Sequence, residues 1–169
     1  PYIGQDDAPT KVSKLFTAAP TGISWADAGF VQPFLNRLNT TLTFGATEYV
    51  VRRYSERSTN TGAGGRTSTN VILSTTRGEL VIAPASGKID LAEDLGGDYG
   101  TTLVIDHGAG VRTIFYGLSD IDIKAGQQVK QGQTLATCGK TTVVEMRIGT
   151  VPIDPIAVWR GQCNGLKYY

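Results

Sequence analysis

Residues 101–136 read TTLVIDHGAGVRTIFYGLSDIDIKAGQQVKQGQTLA, and this stretch decides the fold. It begins with two runs, TTLVIDHG and VRTIFYGL, that are rich in β-branched and aromatic residues and are separated by a short glycine-containing break. Three earlier runs, NVILST, GELVIAP and GKIDLAE, have the same character. Val111, Thr113 and Phe115 alternate with a second set of residues, as in a strand whose two faces meet different surroundings. We therefore predict an all-β fold, an antiparallel two-sheet open barrel or sandwich.

The second half of the stretch, DIDIKAGQQVKQGQTLA, predicts two tight turns. Gly126 and Gly132 lie six residues apart, and each precedes a glutamine. Glycine tolerates the positive φ that such turns require, so the chain is expected to turn twice while Val129 packs inward. Residues 152–159, PIDPIAVW, are predicted to end the sheet. The apolar anchors of that segment are Ile153, Ile156 and Trp159.

Length and composition favour one globular domain. The chain has 169 residues, enough for one well-buried core but short for two. Its hydrophobic content of 40% and charged content of 18% are ordinary for a globular protein. The net charge is +1 and no dense basic patch occurs, which argues against a nucleic-acid partner. No apolar run of about 18 residues is present to span a membrane.

The chain divides into three predicted parts. Residues 1–45 form a mostly irregular N-terminal extension that packs on the domain, residues 46–160 form the β domain, and residues 161–169 form a C-terminal tail. Apolar residues in the extension recur at helical steps, but prolines and glycines interrupt them, so we predict a short helix beginning near Pro33. Its apolar face either covers an open end of the sheet or serves a partner. The polar, glycine-rich residues 58–70 are predicted to be a loop.

Cysteine and histidine limit the chemistry. Cys138 and Cys163 either form one disulfide in an oxidising compartment or remain two buried thiols. His107 is the only histidine of the chain, whereas a hydrolytic zinc site needs three protein ligands and an open position. The same shortage argues against a serine or cysteine nucleophile paired with a histidine. We interpret His107 as a strand-end histidine that is bonded to backbone or solvent.

Four blocks of the sequence follow the order of a known family. They are GGRTSTNVILST, then GELVIAPASGKI, then the stretch from DYGTTLVIDHG to QTLATCGKT, and finally VEMRIGTVPIDPIAVW. These blocks resemble the lysostaphin-type (LytM-like) metallopeptidases, and the resemblance implies their duplicated hybrid motif fold. With YVVRRYS upstream, the first block is similar, more narrowly, to stage II sporulation protein Q and its relatives. The resemblance extends from Glu48 to Trp159.

The resemblance also implies where the metal and catalytic residues of the family would lie. The first metal-binding histidine and the aspartate four residues later fall on Ser68 and Ile72. The histidine of the tyrosine-x-histidine turn falls on Gly117, and the two histidines of the last motif fall on Thr141 and Val143. None of these five positions keeps the family's residue. We therefore predict vestigial positions, with no catalytic residue, no metal and no cofactor.

The groove of such a site is expected to persist without the metal. The residues that could bind a ligand in it are Tyr99, Tyr116, Thr141 and Glu145. Glu145 aligns with the glutamate that follows the last histidine pair of the family. Without a metal or a second acid, we interpret it as a charged sheet residue and not as a general base.

These residues favour a pseudopeptidase over an enzyme. By its resemblance to stage II sporulation protein Q, the chain would be an extracytoplasmic protein–protein interaction scaffold in sporulation and engulfment, anchored to the forespore membrane by an N-terminal helix outside this sequence. Its partner would be another sporulation or cell-envelope protein, bound by pairing at a sheet edge. The alternative is a non-catalytic peptidoglycan-binding module or a regulator of cell-wall amidases. A biotin- or lipoyl-carrying domain is disfavoured because Arg147 in VEMRI cannot be acylated.

Overall fold

The computed structural model describes residues 8–16, 23–24, 29–34, 50–52, 69–159 and 167–168. Within these ranges the chain is almost entirely β-structure. The described elements are, in chain order, α1 (Thr10–Ser13), β1 (Ile23–Ser24), β2 (Val50–Arg52), β3 (Val71–Ser74), β4 (Leu80–Ile82), β5 (Gly87–Asp94), β6 (Thr101–Gly108), β7 (Val111–Ile121), β8 (Gln128–Val129), β9 (Thr134–Ile148), β10 (Val151–Ile153), α2 (Pro155–Trp159) and β11 (Lys167–Tyr168).

An open antiparallel sheet dominates the described part of the chain. Nine of the described strands join it in the order β2-β3-β9-β7-β6-β5-β8, with β4 and β10 also paired to β9. The 15-residue β9 is the central strand, since it pairs with four others. The remaining two strands, β1 and β11, pair with each other. The predicted antiparallel all-β fold is confirmed, and the five predicted strand runs correspond to β3 through β7.

The sheet buries apolar residues on both of its faces. The main core lies on one face and includes Val71, Phe115 and Val144 from three adjacent strands. Val143, one residue earlier on β9, belongs to a different apolar cluster with Ile72. Successive residues of a strand point to opposite faces, so both faces around the centre of β9 are covered. This explains why residues 142–149 are buried without interruption.

The predicted double turn is present in detail. The backbone N–H groups of Gln127 and Gln133 donate to the carbonyls of Lys124 and Lys130, at 3.1 and 3.0 Å. Each glutamine side chain accepts a hydrogen bond from the backbone N–H of the lysine that starts its turn. Gly126 and Gly132 have φ of 91° and 84°, which glycine alone adopts without strain. Between the turns Val129 reaches the main core, as predicted.

The N-terminal extension differs from the prediction. Phe34 forms an antiparallel bridge with Val81, is fully buried and meets the ring of Trp159 edge-on, so no helix begins at Pro33. This long-range pairing overrides the local helical spacing, and residues 35–49 lie outside the described ranges. Within the described residues of the extension, the short helix is α1. No described helix is long and apolar enough to cross a membrane.

The end of the sheet carries a helix that we did not predict. The predicted anchors Ile153, Ile156 and Trp159 are buried, but the last two belong to α2. Asp154 stabilises the start of α2, because its carboxylate accepts a hydrogen bond from the Ile156 N–H at 3.0 Å. Cys138 is buried in the main core. Cys163 lies outside the described residues, so the two alternatives for the cysteines stay open.

Candidate functional site

A row of three side chains lies at the predicted vestigial site. Ile72 on β3 is the register partner of Val143 on β9, and Val143 is in turn the partner of Tyr116 on β7. Register partners on one face of adjacent antiparallel strands have Cβ atoms about 4.5–5.5 Å apart. The structure therefore brings together two of the positions that the resemblance assigns to metal ligands. Of the other assigned positions, Ser68 lies outside the described residues.

The row is embedded in apolar side chains. We call this set the groove cluster; its buried members are Val12, Ile72, Leu91, Val104, Ile114, Tyr116 and Val143, with Ala8, Leu15, Phe16, Leu95 and Tyr99 partly buried around them. Ile72 and Val143 have no lone pair to offer a cation. Their burial in the cluster stabilises the fold by about 1.5–3 kcal/mol for each side chain.

Residues 8–16, which we call the cover, lie over the groove cluster. Val12 of α1 is 0% exposed within it. At one end of the cover the Phe16 ring lies 4.5 Å from the guanidinium carbon of Arg147, a cation–π contact. Along its side the Lys11 ammonium pairs with the Glu93 carboxylate on β5 at 2.7 Å. Sequence reasoning missed the cover, although VSKLF places its apolar residues at the three- and four-residue spacing of a helix.

Glu145 is fully engaged in a buried polar network. It is 2% exposed, and its Oε2 accepts a hydrogen bond from Nε of Arg147 at 2.6 Å. Its Oε1 accepts from the Thr69 hydroxyl at 2.8 Å and from the Asn70 amide at 3.4 Å. Arg147 also donates to the backbone oxygen of Thr150 at 2.7 Å. A carboxylate with these partners is a structural charge, in keeping with our interpretation of Glu145 from the sequence.

Tyr116 presents a buried hydroxyl to the groove cluster. The residue is 1% exposed, and its Oη has no hydrogen-bond partner among the described residues. Burial raises the pKa of Tyr116 well above its usual range, and the negative charge of Glu145 adds to this effect. The phenol is therefore neutral. Tyr99 packs beside it with ring centroids 5.7 Å apart and is only partly buried, while Thr141 is exposed.

Comparison with known proteins places this geometry in a family. A model described as peptidase family M23 matches residues 66–155, more than half of the chain. The chain belongs to peptidase family M23. The match spans every position that we assigned to the vestigial site from Ser68 to Val143, and it confirms the LytM-like resemblance.

Three relatives illustrate the M23 relationship. An uncharacterized metalloprotease of Haemophilus influenzae is 32% identical over an alignment of 95 residues that covers 52% of this chain and 20% of that protein. A zinc containing peptidase from Vibrio cholerae has the same fold with a TM-score of 0.59 and 22% identity, covering 76% of this chain and 39% of that one. The catalytic domain of lysostaphin from Staphylococcus simulans has a TM-score of 0.57 and 21% sequence identity. The comparison covers 66% of this chain and 92% of that one. The chain thus spans less than two thirds of the Haemophilus and Vibrio proteins.

The backbone of this M23 domain leaves no room for a side chain at Gly117. This glycine has φ of 78° and lies where the register between β7 and β9 shifts. A Cβ atom built on it would meet the Thr141 carbonyl oxygen at 2.6 Å. On β9, a Cβ at Gly139 would likewise meet the Gly117 oxygen at 2.6 Å. A histidine at position 117 would therefore require the two strands to separate.

The described residues do not fit the zinc ion that the M23 family implies. No three histidine, cysteine, aspartate or glutamate side chains of the described ranges lie close enough together to hold a metal. At the vestigial positions Ile72 and Val143 are aliphatic, Gly117 has no side chain, and Thr141 offers one exposed hydroxyl. No metal-dependent step can be assigned to these residues.

His107 occupies a structural position elsewhere in the M23 domain. Its Nδ1 lies 3.0 Å from the Ser86 carbonyl oxygen, which can only accept, so Nδ1 carries the proton. Nε2 then accepts from the Thr113 hydroxyl at 2.8 Å. Burial lowers the pKa of His107 to about 4, so the ring is neutral at pH 7. The predicted backbone bond is confirmed. His107 also borders an open pocket of about 290 Å³ together with Lys88, Asp106 and Gln128.

Proposed function

We propose that this M23 domain is a catalytically inactive pseudopeptidase that acts as an extracytoplasmic protein–protein interaction scaffold. One observation carries the proposal: Ile72 and Val143, at positions assigned to metal ligands, are packed against each other and against Tyr116 in an apolar cluster. An apolar environment disfavours an ion, and aliphatic side chains cannot replace its water ligands. The buried Glu145–Arg147 pair supports the same conclusion, since the guanidinium already neutralises the nearby carboxylate.

The setting that we propose is sporulation and engulfment. It rests on the similarity of YVVRRYS and GGRTSTNVILST to stage II sporulation protein Q. In that setting the domain would stand outside the cytoplasm, held at the forespore membrane by an N-terminal helix outside this sequence. Its partner would be another sporulation or cell-envelope protein.

We place the proposed partner contact at the edge strand β2. The main strand order of the described sheet ends at β2 and β8, and β4 and β10 are further edge strands that pair with β9 alone. The two turns at Gly126 and Gly132 enclose β8, so that strand cannot lengthen to receive a partner strand. An added strand at β2 would pair with backbone groups that face away from β3.

Two measurements on the purified chain test inactivity. We expect substoichiometric zinc by inductively coupled plasma mass spectrometry and no release of peptides from purified peptidoglycan. The catalytic domain of lysostaphin, treated in the same way, serves as the positive control. Stoichiometric zinc together with cleavage that a chelator abolishes would refute the proposal.

A third measurement tests the partner contact. After pull-down from an envelope extract of a sporulating culture, hydrogen–deuterium exchange should show slower exchange at Val50–Arg52 in the complex and unchanged exchange at Gln128–Val129. Sedimentation of the chain with purified cell wall, in the absence of any captured protein, would favour the peptidoglycan-binding alternative. No described contact favours that alternative, because Tyr116 and Glu145 are buried.

A further inference from the structure

We infer that the groove cluster is a docking site for an amphipathic segment of a partner protein, and that the cover, residues 8–16, occupies this site in exchangeable form. This inference rests on the proposed function, because it requires a groove without a metal. It adds a second contact surface, on the face of the sheet and separate from the edge strand β2.

Among the described residues, the cover is attached to the sheet by side chains alone. Its five backbone hydrogen bonds, from the N–H groups of residues 12–16, all end on carbonyls of residues 9–13 within the cover itself. The hydrogen bond from Lys11 to Glu93 is the only one that links it to the rest of the described chain. That pair is exposed, at 59% and 43%, and exposed ion pairs add little to stability. The cover is therefore retained mainly by Val12 and its partly buried neighbours.

The helix inside the cover is also weak by itself. It has four residues, whereas isolated helices shorter than about 12–15 residues are marginal in water. Pro9 precedes it and provides no side-chain hydrogen bond to its first turn. Release of the cover thus loses little backbone structure, which makes replacement by another segment feasible.

The hydroxyl of Tyr116 indicates that the cover is an incomplete occupant. This buried Oη has no partner within the described residues, even with the cover in place. A segment that offered a carbonyl or carboxylate oxygen to Oη would accept its hydrogen bond and would bind more favourably than the cover does. Within the described part of the chain, the groove cluster thus offers one hydrogen-bond donor that a ligand could engage.

The contacts of the cover define the chemistry of the expected partner. The partner segment needs an aliphatic residue at the place of Val12 and an aromatic residue four positions later, to lie on Arg147 as Phe16 does. A lysine or arginine just before the aliphatic residue would pair with Glu93. We therefore expect a short basic amphipathic helix with an oxygen acceptor directed at Tyr116.

The test uses the full chain and a fluorescent peptide, APTKVSKLF, that copies residues 8–16. Val12→Asp places a charge in the groove cluster and should release the cover, so the peptide should bind this variant at least about tenfold more tightly than it binds the wild type. Ser13→Asp is the matched control, because it adds the same charge one residue later on the exposed side. It should behave like the wild type. A peptide that itself carries Val12→Asp should not bind.

The results separate this inference from the proposed function. If Val12→Asp keeps the circular dichroism spectrum of the wild type and does not bind the peptide, the docking site is refuted. Phe16→Ala provides a milder second variant, and it should give intermediate affinity. Equal binding of the peptide to wild type, Ser13→Asp and Val12→Asp would also refute the inference. Dimerisation without the peptide through exchanged covers would refute it too, because the occupant would then be a second copy of this chain. Zinc content and peptidoglycan cleavage, measured on the same preparations, decide the proposed function independently.

Discussion

Glu145 and Arg147 form a buried ion pair beside the vestigial site, and removal of one partner is predicted to destabilise the domain strongly. Their side chains are 2% and 8% exposed, and Oε2 and Nε lie 2.6 Å apart. Glu145→Leu leaves the guanidinium buried without its counter-charge and also frees the Thr69 hydroxyl and the Asn70 amide. We expect a loss of about 3–5 kcal/mol in the free energy of unfolding. The double variant Glu145→Leu/Arg147→Met should recover most of it, because an apolar pair of similar volume replaces both charges.

The assay is urea unfolding followed by circular dichroism for the wild type, both single variants and the double variant. The thermal unfolding midpoint (Tm) of Glu145→Leu should be lower than that of the wild type by about 2–4 °C for each kcal/mol lost. Asp90→Leu is the control, since Asp90 pairs with Arg112 at 2.9 Å in a more accessible place and Arg112 keeps Asp106 as a second partner. We expect a smaller loss there than at Glu145, because Asp106 still faces the guanidinium. A loss at Glu145 no larger than at Asp90, or a double variant as unstable as the single one, would contradict the reasoning.

Three further predictions concern single residues. Tyr116→Phe should raise the free energy of unfolding by about 1 kcal/mol, since it removes a buried hydroxyl that has no partner among the described residues. A lower free energy in urea unfolding would mean that the hydroxyl is bonded. Gly117→His should lower the free energy of unfolding by more than about 2 kcal/mol, because φ is 78° and the new Cβ would meet the Thr141 oxygen. A urea midpoint equal to that of the wild type would disprove the close approach. His107 favours its neutral form in the fold, so stability should be full above the ordinary pKa of about 6.5 and fall as the pH drops towards about 4. Urea midpoints of His107→Asn should depend less on pH over that interval.

Local signals in the sequence predicted most of the sheet. β-branched runs between glycines marked β3 to β7, and the repeated glycine–glutamine pairs marked the turns at Gly126 and Gly132. These features depend on residues close in sequence, so a pattern suffices to find them. The same applies to α2, where Asp154 before Pro155 was a helix-start signal that we did not use.

Long-range contacts account for what the sequence did not predict. Phe34 is in a bridge because Val81 is available to pair with it, whereas the local spacing favoured a helix. The cover, likewise, has a fixed place only because the groove cluster receives Val12. At the site, resemblance brought Ile72 and Val143 together correctly, but the engagement of Glu145 follows from strand register and could not be read from residue order.

The close approach of Gly117 to Thr141 limits how this domain can evolve. An active site with all of the family's residues would require a histidine at position 117, and that residue could enter only after β7 and β9 had moved apart. An aspartate at Ile72 or a histidine at Val143, acquired first, would bury a polar group in the groove cluster beneath Val12. Gly117→His, Ile72→Asp and Val143→His are thus each expected to lower the stability of the domain before any metal could bind, so these three positions cannot acquire the family's residues one at a time without cost.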